Sequence, residues 1–261
     1  MKLKGKIAIV TGGAKNIGKA ISLRLAQEGA TVIVASSSVK TGTDPFVDEL
    51  KALGAAADSF RMDIAKPQEA RDMVKYVFDK YGRIDILVNN SGIAGPTSKL
   101  VDVSLEDWLK VFDVNLNGLL VCCQETLKHM IPVRSGNIIN ISSEGGKSGY
   151  PLRGPYSVSK RAVIALTDVL AIEAGEYGIR VNTISPGRTK GPRVDHVIKA
   201  TSEATGKTPD EILAGMSADV SLKRLIDASE VAAGVVFLAS DDASAITGEN
   251  LSISAGKHMM H

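Results

Sequence analysis

Two cysteines, side by side at Cys122 and Cys123, are all that the 261 residues contain. Neighbours on a helix point about 100° apart and do not bridge easily, and no CxxC pair exists. A disulfide framework is excluded, and two buried free thiols in a reducing compartment are expected. The four histidines are scattered, two of them in the tail "GKHMMH". Without HExxH or a His/Cys cluster, no catalytic metal is expected. No apolar run reaches the ~18 residues that span a bilayer. The start "MKLKGKIAIV" is basic and then apolar, but Thr11-Gly12-Gly13 cuts it too short for a signal peptide. An excess of one charge is missing too: the net charge is +2 and no basic run offers a nucleic-acid face. Aromatic residues make up only 4%, which argues against a large stacking pocket for a polycyclic ligand. A soluble, cytoplasmic protein with neither a membrane nor a nucleic-acid partner is expected.

What is present is ordinary globular usage, 44% hydrophobic and 23% charged. The length suits one large α/β sheet, and no linker interrupts residues 1–261. Short β-branched runs stand at 7–10, 31–35, 59–63, 84–88, 137–142, 179–184 and 251–254. Most are continuously apolar, as in parallel strands covered on both faces. Between them the period lengthens. Ile17, Ile21 and Leu25 form one helical stripe, and Met73, Val74, Val77, Phe78 and Tyr81 form another. Repeated alternation of this kind predicts right-handed βαβ units and a doubly wound, Rossmann-type sheet of seven mostly parallel strands, with helices on both faces. Residues 187–227 are rich in Lys, Arg, Ser, Thr and Pro and read as loop plus short helices. An insertion there, after a strand's carboxyl end, would lie over the ligand crevice as a lid.

The stretch "IAIVTGGAKNIGKAISLRLA" is strand, glycine-rich turn, helix. A helix N-terminus presents free amides and a positive dipole end to phosphate in either of two nucleotide-binding folds. A hydrolase loop ends GK[ST], because the hydroxyl holds magnesium. Here that place is Ala20, which has no oxygen to offer. Gly12, Asn16 and Gly18 instead take the spacing of a dinucleotide turn, with Asn16 at the second glycine place. Asn is among the few side chains that tolerate left-handed backbone angles.

Tyr156 stands four residues before Lys160 in "YSVSK", on one helix face. Ser143 lies thirteen residues before Tyr156, at the end of "NIINIS". With "TGGAKNIG", "NNSG" (89–92) and "DVNLNG" (113–118), in this order and spacing, the chain resembles the short-chain dehydrogenase/reductase family, in its short single-domain branch. The resemblance runs from the first strand to "ITGEN" (246–250). It implies an oxidoreductase that interconverts a carbonyl and an alcohol by hydride transfer. The residue types suit that chemistry. Reduction leaves an alkoxide that needs a proton, and a free tyrosine with a pKa of ~10 is too weak an acid-base group at neutral pH. A nearby lysine cation favours the phenolate.

By resemblance, Tyr156 is the acid/base and Lys160 tunes it while bonding the nicotinamide ribose. Ser143 holds the substrate oxygen, and Asn115 holds a water that links Lys160 to solvent. The resemblance also implies cofactor contacts from Gly12, Asn16, Ile17 and Gly18 in the turn. Asp63 and Ile64 would meet the adenine, Asn90 would line the adenine ribose, and Pro186 and Gly187 would pass beneath the nicotinamide. Where the family carries an aliphatic residue two places beyond Gly187, this chain has Thr189, and its usual threonine place holds Gly191. Thr189 is expected to take over the carboxamide contact. Ser91 replaces a usual alanine, and "SISAG" replaces a common Asp-Gly-Gly.

An acidic residue closing the second strand would bond the ribose of NAD and repel a 2′-phosphate. This strand closes on Ser36, Ser37 and Ser38, and the nearest downstream carboxylate is Asp44. Lys15 stands where NADP-preferring members of the family often carry a base, and Lys40 can add to it. NADP(H) is therefore expected in preference to NAD(H). Around the substrate, Arg188, Lys190, Arg193 and Lys199 face only Asp195, and Lys147 and Arg153 face only Glu144. Arg153 and Arg188 are the candidates for gripping an anionic group. A small polar ketone, a sugar-derived carbonyl or a 3-oxoacyl thioester is expected as substrate. The alternative is a nucleotide-binding regulator or scaffold that kept the fold without catalysis.

The segment 104–131 is too long and apolar for a lone surface helix, and with helix 156–177 it resembles the family's subunit interface. A homo-oligomer is expected, a tetramer of paired dimers. Sedimentation at micromolar concentration should show the oligomer; a monomer would contradict it.

Overall fold

The apolar runs form seven strands: β1 (Ile7–Thr11), β2 (Thr31–Ser36), β3 (Ala57–Arg61), β4 (Ile86–Asn89), β5 (Gly136–Ile141), β6 (Ile179–Pro186) and β7 (Asn250–Ile253). In this computed structural model residues 1–257 are described, apart from the side chains of Arg193, His196, Ala200, Thr201 and Ala204. The tail histidines and the Arg193 side chain therefore lie outside the described residues. The strands make one sheet in the order β3-β2-β1-β4-β5-β6-β7, and every neighbouring pair is parallel. The order reverses between β1 and β4, which opens a crevice beyond their carboxyl ends.

Ten α-helices are described: α1 (Asn16–Gln27), α2 (Pro45–Ala52), α3 (Pro67–Tyr81), α4 (Leu105–Phe112), α5 (Gly118–Val133), α6 (Glu144–Ser148), α7 (Gly154–Gly175), α8 (Pro192–Thr205), α9 (Pro209–Ala218) and α10 (Ala228–Ala239). Strand alternation divides the core in two. Ala8, Val10, Val32 and Val34 pack with Ile21 and Leu25 of α1, Val47 of α2 and Val235 of α10. Ile9, Ile33 and Leu87 pack on the other face with Met73 and Val77 of α3, Cys122 of α5 and Val163 of α7. Cys122 and Cys123 are fully buried and free, and burial pushes the Cys122 thiol up to about 12. Among the described residues no helix is long and apolar enough to cross a membrane.

Two features depart from the sequence expectation. The segment 104–131 is a nearly continuous helical rod in which a π turn, Asp113–Asn117, joins α4 to α5. Strand β3 begins two residues earlier than its apolar run, because the sheet accommodates a carboxylate. Asp58 is 3% exposed. It accepts hydrogen bonds from Tyr76 Oη (2.8 Å), Lys80 Nζ (2.7 Å), Tyr81 Oη (3.3 Å) and its neighbour's amide at Ser59 (2.8 Å). The donors on α3 thus staple that helix to the edge strand.

Burial raises the Asp58 carboxyl, but the bonds from Lys80, Tyr76 and Ser59 outweigh it and leave it below its ordinary value. A lowered folded-state value gives stability that is complete above the unfolded value of about 3.9 and is lost as pH falls through the folded one. Asp58→Asn should cost about 1–3 kcal/mol at pH 7, because three donors lose a charged acceptor. In urea unfolding the deficit should shrink below about pH 4. A deficit that stays constant with pH would contradict this.

Candidate active site

The glycine turn is built by close backbone approach. Gly12 has φ +62. A Cβ at Gly18 would fall 2.1 Å from Gly12 O and 2.6 Å from Asn90 Nδ2, so only glycine fits there. Asn16 has φ +48, the left-handed conformation expected of it, and it opens α1. Lys15 is the N-cap but caps with no side-chain bond, and the first turn holds no acid. The positive end of α1 therefore faces outward at the crevice. Lys15 is exposed. Lys19, the lysine of the near-match to a hydrolase loop, is turned onto α2: it bonds Glu49 at 2.8 Å and lies over the Phe46 ring.

Asn90 braces this turn from β4. Its side-chain amide donates to Thr11 O (3.0 Å) and Gly12 O (3.2 Å). Thr11 Oγ1 in turn accepts from the backbone amides of Asn90 and Ser91. The ends of β1 and β4 are thereby held together at the switch point. Asp63 stands just beyond β3, where its amide donates to Glu69 and its carboxylate accepts from Ala65 N. Ile64 is buried, and its carbonyl oxygen would meet any Cβ at Gly118 at 2.2 Å, so α5 begins directly against it.

At the end of β2, Ser36 is half-buried while Ser37 and Ser38 are exposed. The Ser36 and Ser38 hydroxyls bond each other at 3.1 Å. Asp44 is absorbed elsewhere, as the N-cap of α2 accepting from Phe46 N. No carboxylate closes the strand. The sequence reading missed Arg61, which ends β3 in register with Ser36 and has its nearest carboxylate, Glu69, 4.0 Å away. The signal was available only once β2 and β3 were known to be neighbours. The loop carrying Lys40 is fixed to that edge, since Ser59 Oγ donates to Lys40 O and Arg61 N donates to Thr41 Oγ1.

Ser143 follows β5 and caps α6, its Oγ accepting from Gly145 N at 3.1 Å. Tyr156 and Lys160 lie one turn apart in the first turns of α7. Tyr156 is half-buried, whereas Lys160 is 4% exposed and its Nζ donates to Ile141 O at 2.8 Å. Asn115 sits fully buried inside the π turn. It accepts from Ile93 N (2.8 Å) and donates to Ile93 O (3.1 Å) and Ser159 Oγ (3.0 Å). Ser159 Oγ donates to Tyr156 O, so Asn115 is tied to α7 through Ser159. A Cβ at Gly92 would lie 3.2 Å from Asn115 Oδ1 and 3.3 Å from Lys160 Nζ. The bare glycine therefore lets the amide oxygen and the ammonium converge on one point.

A polar ladder missed in the sequence sets α7 on the sheet. Asn89 donates to Asn140, Asn140 to Thr167 of α7, and Thr183 of β6 to the same Thr167. At the end of β6, a Cβ at Gly187 would meet Ser254 Cα at 2.8 Å, so Pro186-Gly187 passes tightly by the end of β7. Thr189 Oγ1 donates to Gly187 O, and residues 188–190 pair with Ile226. Arg188 is engaged: Nη1 donates to Met216 O and pairs with Asp219, both at 2.6 Å. Lys257 pairs with the same Asp219. Lys190 pairs with Asp227 at 3.1 Å. Arg153 caps α7, and among the described residues its guanidinium meets no carboxylate.

The profile of a family described as enoyl-(acyl carrier protein) reductase matches residues 12–258. The chain belongs to the short-chain dehydrogenase/reductase family. Members of the family resemble this one along its whole length. A 3-oxoacyl-[acyl-carrier-protein] reductase of Thermotoga maritima is 38% identical, covering 98% of this chain and 99% of its own. An uncharacterised oxidoreductase of Methylorubrum extorquens is also 38% identical, covering 98% of each. Among solved structures, an NAD+-bound xylitol dehydrogenase superposes with a TM-score of 0.90 at 30% identity, covering 98% of this chain and 100% of that one. An actinorhodin polyketide ketoreductase variant with NADPH superposes at 0.89 and 32% identity, covering 98% of each. This short-chain family member is an oxidoreductase acting on carbonyl or alcohol groups.

The glycine turn carries two direct tests. Gly18→Ala should displace the turn and cost about 1–3 kcal/mol of stability, as read by urea unfolding. Asn16→Ala should cost about 1 kcal/mol, and Asn16→Gly nothing or less. Unchanged stability in Gly18→Ala would contradict the close approach of Gly18 to Gly12 O.

Proposed function

We propose that the chain is an NADP(H)-dependent carbonyl reductase or alcohol dehydrogenase in which Tyr156 is the acid/base. The observation that carries this reading is the half-buried Tyr156 one turn from a buried lysine, with Ser143 just beyond β5 at the start of α6. The groove fits a dinucleotide. Its α1 terminus carries no capping side chain or first-turn acid, and the Gly12 and Gly18 cradle would be filled by a Cβ. When bound, the nicotinamide supplies or accepts the hydride.

The chain's own residues do the rest. Ser143 Oγ and the Tyr156 hydroxyl hold the substrate oxygen, and Tyr156 passes its proton to that oxygen as charge develops. Lys160 supplies positive charge next to this transfer. Asn115, braced by Ile93 and Ser159, orients the lysine side of the site and, with the ammonium, brackets the place proposed for a relay water. Asn90 holds the turn, Asp63 and Ile64 border the adenine end, and Pro186, Gly187 and Thr189 border the nicotinamide end.

NADP(H) preference is supported by the absence of a carboxylate at the end of β2 and by three bases: Arg61 in register with Ser36, Lys40 in the loop after β2 and exposed Lys15 at the start of α1. The relatives differ on this point, one solved neighbour being NAD+-bound and another NADPH-bound. The substrate is read as a small polar or anionic carbonyl compound, of the sugar-derived or 3-oxoacyl thioester type. Of the two arginines proposed for its anionic group, Arg153 has its charge available, while Arg188 must exchange Asp219 for the ligand. Residues 187–227, including α8 and α9, are read as the lid over this pocket. Self-association is supported by exposed Leu105 and Leu109 on α4 and by Val158, Val169 and Ile172 on α7, the last 79% exposed.

The test follows absorbance at 340 nm with a panel of ketones sorted by charge. Tyr156→Phe should lower kcat by a factor of about 10³ or more while leaving NADPH affinity within twofold, and NADPH should exceed NADH at least tenfold in kcat/KM. Substantial turnover by Tyr156→Phe would remove that residue from the mechanism, and equal efficiency with both cofactors would remove the preference.

A further inference from the structure

A second tyrosine stands beside the first. Tyr150 lies in the loop between α6 and α7, after Gly149 turns the chain with φ +59. Its amide donates to Ser157 Oγ at 2.9 Å, and its carbonyl accepts from Arg153 N at 3.1 Å. The loop backbone is thus pinned to the start of α7, and the ring is placed with it. A Cβ at Gly145 would touch Tyr150 Cδ2 and Cε2 at 3.0 Å and Tyr156 Cε1 at 3.4 Å. Both rings therefore flank the same bare backbone, two residues beyond Ser143. A side chain at position 145 would require the Tyr150 ring to give by a few tenths of an ångström.

The ring is half-buried, and among the described residues its hydroxyl makes no hydrogen bond. This contrasts with Tyr76 and Tyr81, whose hydroxyls both reach Asp58. Burial holds the Tyr150 phenol above its ordinary value, with Arg188 opposing and Tyr156 and Asp219 adding to the effect. It therefore stays a neutral donor through the working pH range. Arg188 and Asp219, which act on it electrostatically, pair with each other and fasten the end of α9.

We propose that Tyr150 selects the substrate, its hydroxyl donating a hydrogen bond to an acceptor oxygen borne close to the reacting carbonyl. This rests on the carbonyl-reducing reading and deepens it: the preferred ligand is a ketone with an ester, thioester, hydroxyl or carboxylate oxygen one or two carbons away. A substrate oxygen held by Ser143 and Tyr156 places the adjoining carbons over Gly145, within reach of Tyr150. A plain aliphatic ketone leaves the phenol hydroxyl without a partner. That is the kind of loss by which a polar site rejects an apolar analogue.

The probes are ethyl acetoacetate and 2-heptanone, which match in chain length and differ in the ester oxygens. Binding is read by saturation-transfer NMR in a Tyr156→Phe background, so that no turnover is required. The background variant should bind ethyl acetoacetate more tightly than 2-heptanone. Adding Tyr150→Phe should weaken ethyl acetoacetate about five- to tenfold and leave 2-heptanone within twofold, with unchanged NADPH affinity reporting an intact fold. Equal weakening of both probes, no change in either, or no initial discrimination would overturn the proposal. If the wild-type chain reduced no ketone while the binding contrast held, the reduction reading would fall and the role of Tyr150 would stand.

Discussion

A lysine ammonium held almost out of water organises this site. Burying a cation is costly unless polar groups replace its hydration, and each group near Lys160 makes a demand on the fold. The carbonyl that accepts its hydrogen bond belongs to Ile141, the last residue of β5. Gly92, just beyond β4, leaves room for the ammonium and the Asn115 amide, which a Cβ there would crowd at 3.2–3.3 Å. Asn115 must point inward from a helix that would otherwise turn it elsewhere, and the π turn supplies that rotation. The helix bearing Lys160 must stand at a fixed height over the sheet, which the Asn89–Asn140–Thr167–Thr183 ladder sets. Tyr156, one turn earlier on the same helix, is positioned as a consequence.

The glycine turn works by the opposite means. It presents backbone and leaves charge out. Gly18 lies closer to the Gly12 carbonyl than a Cβ allows, Gly12 turns with φ +62, Asn90 ties the turn to β4, and α1 starts without a cap. The two halves meet at the switch point of the sheet, where the connections leaving β1 and β4 part to opposite faces. The carboxyl ends of the strands thus bear an uncapped helix terminus and a buried cation with its tyrosine, at separate but adjoining places.

Much of this was legible in the sequence. The seven strands read as apolar runs because parallel strands are covered on both faces, and Asn16 read as left-handed because few other side chains tolerate that conformation. That Tyr156 and Lys160 share one helix face was legible by spacing. What was not legible depends on contacts between distant residues. Asp58 looks like a loop residue until Tyr76, Lys80 and Tyr81 of α3 close over it. Arg188 looks like a free cation until Asp219 arrives from the far end of α9. Arg61 becomes relevant only once β3 pairs with β2. Tyr150 carries no motif, and its place beside Tyr156 follows from the bare backbone of Gly145.

The central claim is that these groups serve hydride transfer to a carbonyl carbon, in contrast to the mere holding of a nucleotide. It is tested most directly with NADPH carrying deuterium at the transferable position of its nicotinamide and ethyl acetoacetate as acceptor, the product being analysed by mass spectrometry and NMR. The account predicts a hydroxy ester with one deuterium on the carbinol carbon and none elsewhere. An alcohol without that label, or nucleotide binding with no alcohol formed from any ketone of a broad panel, would contradict it.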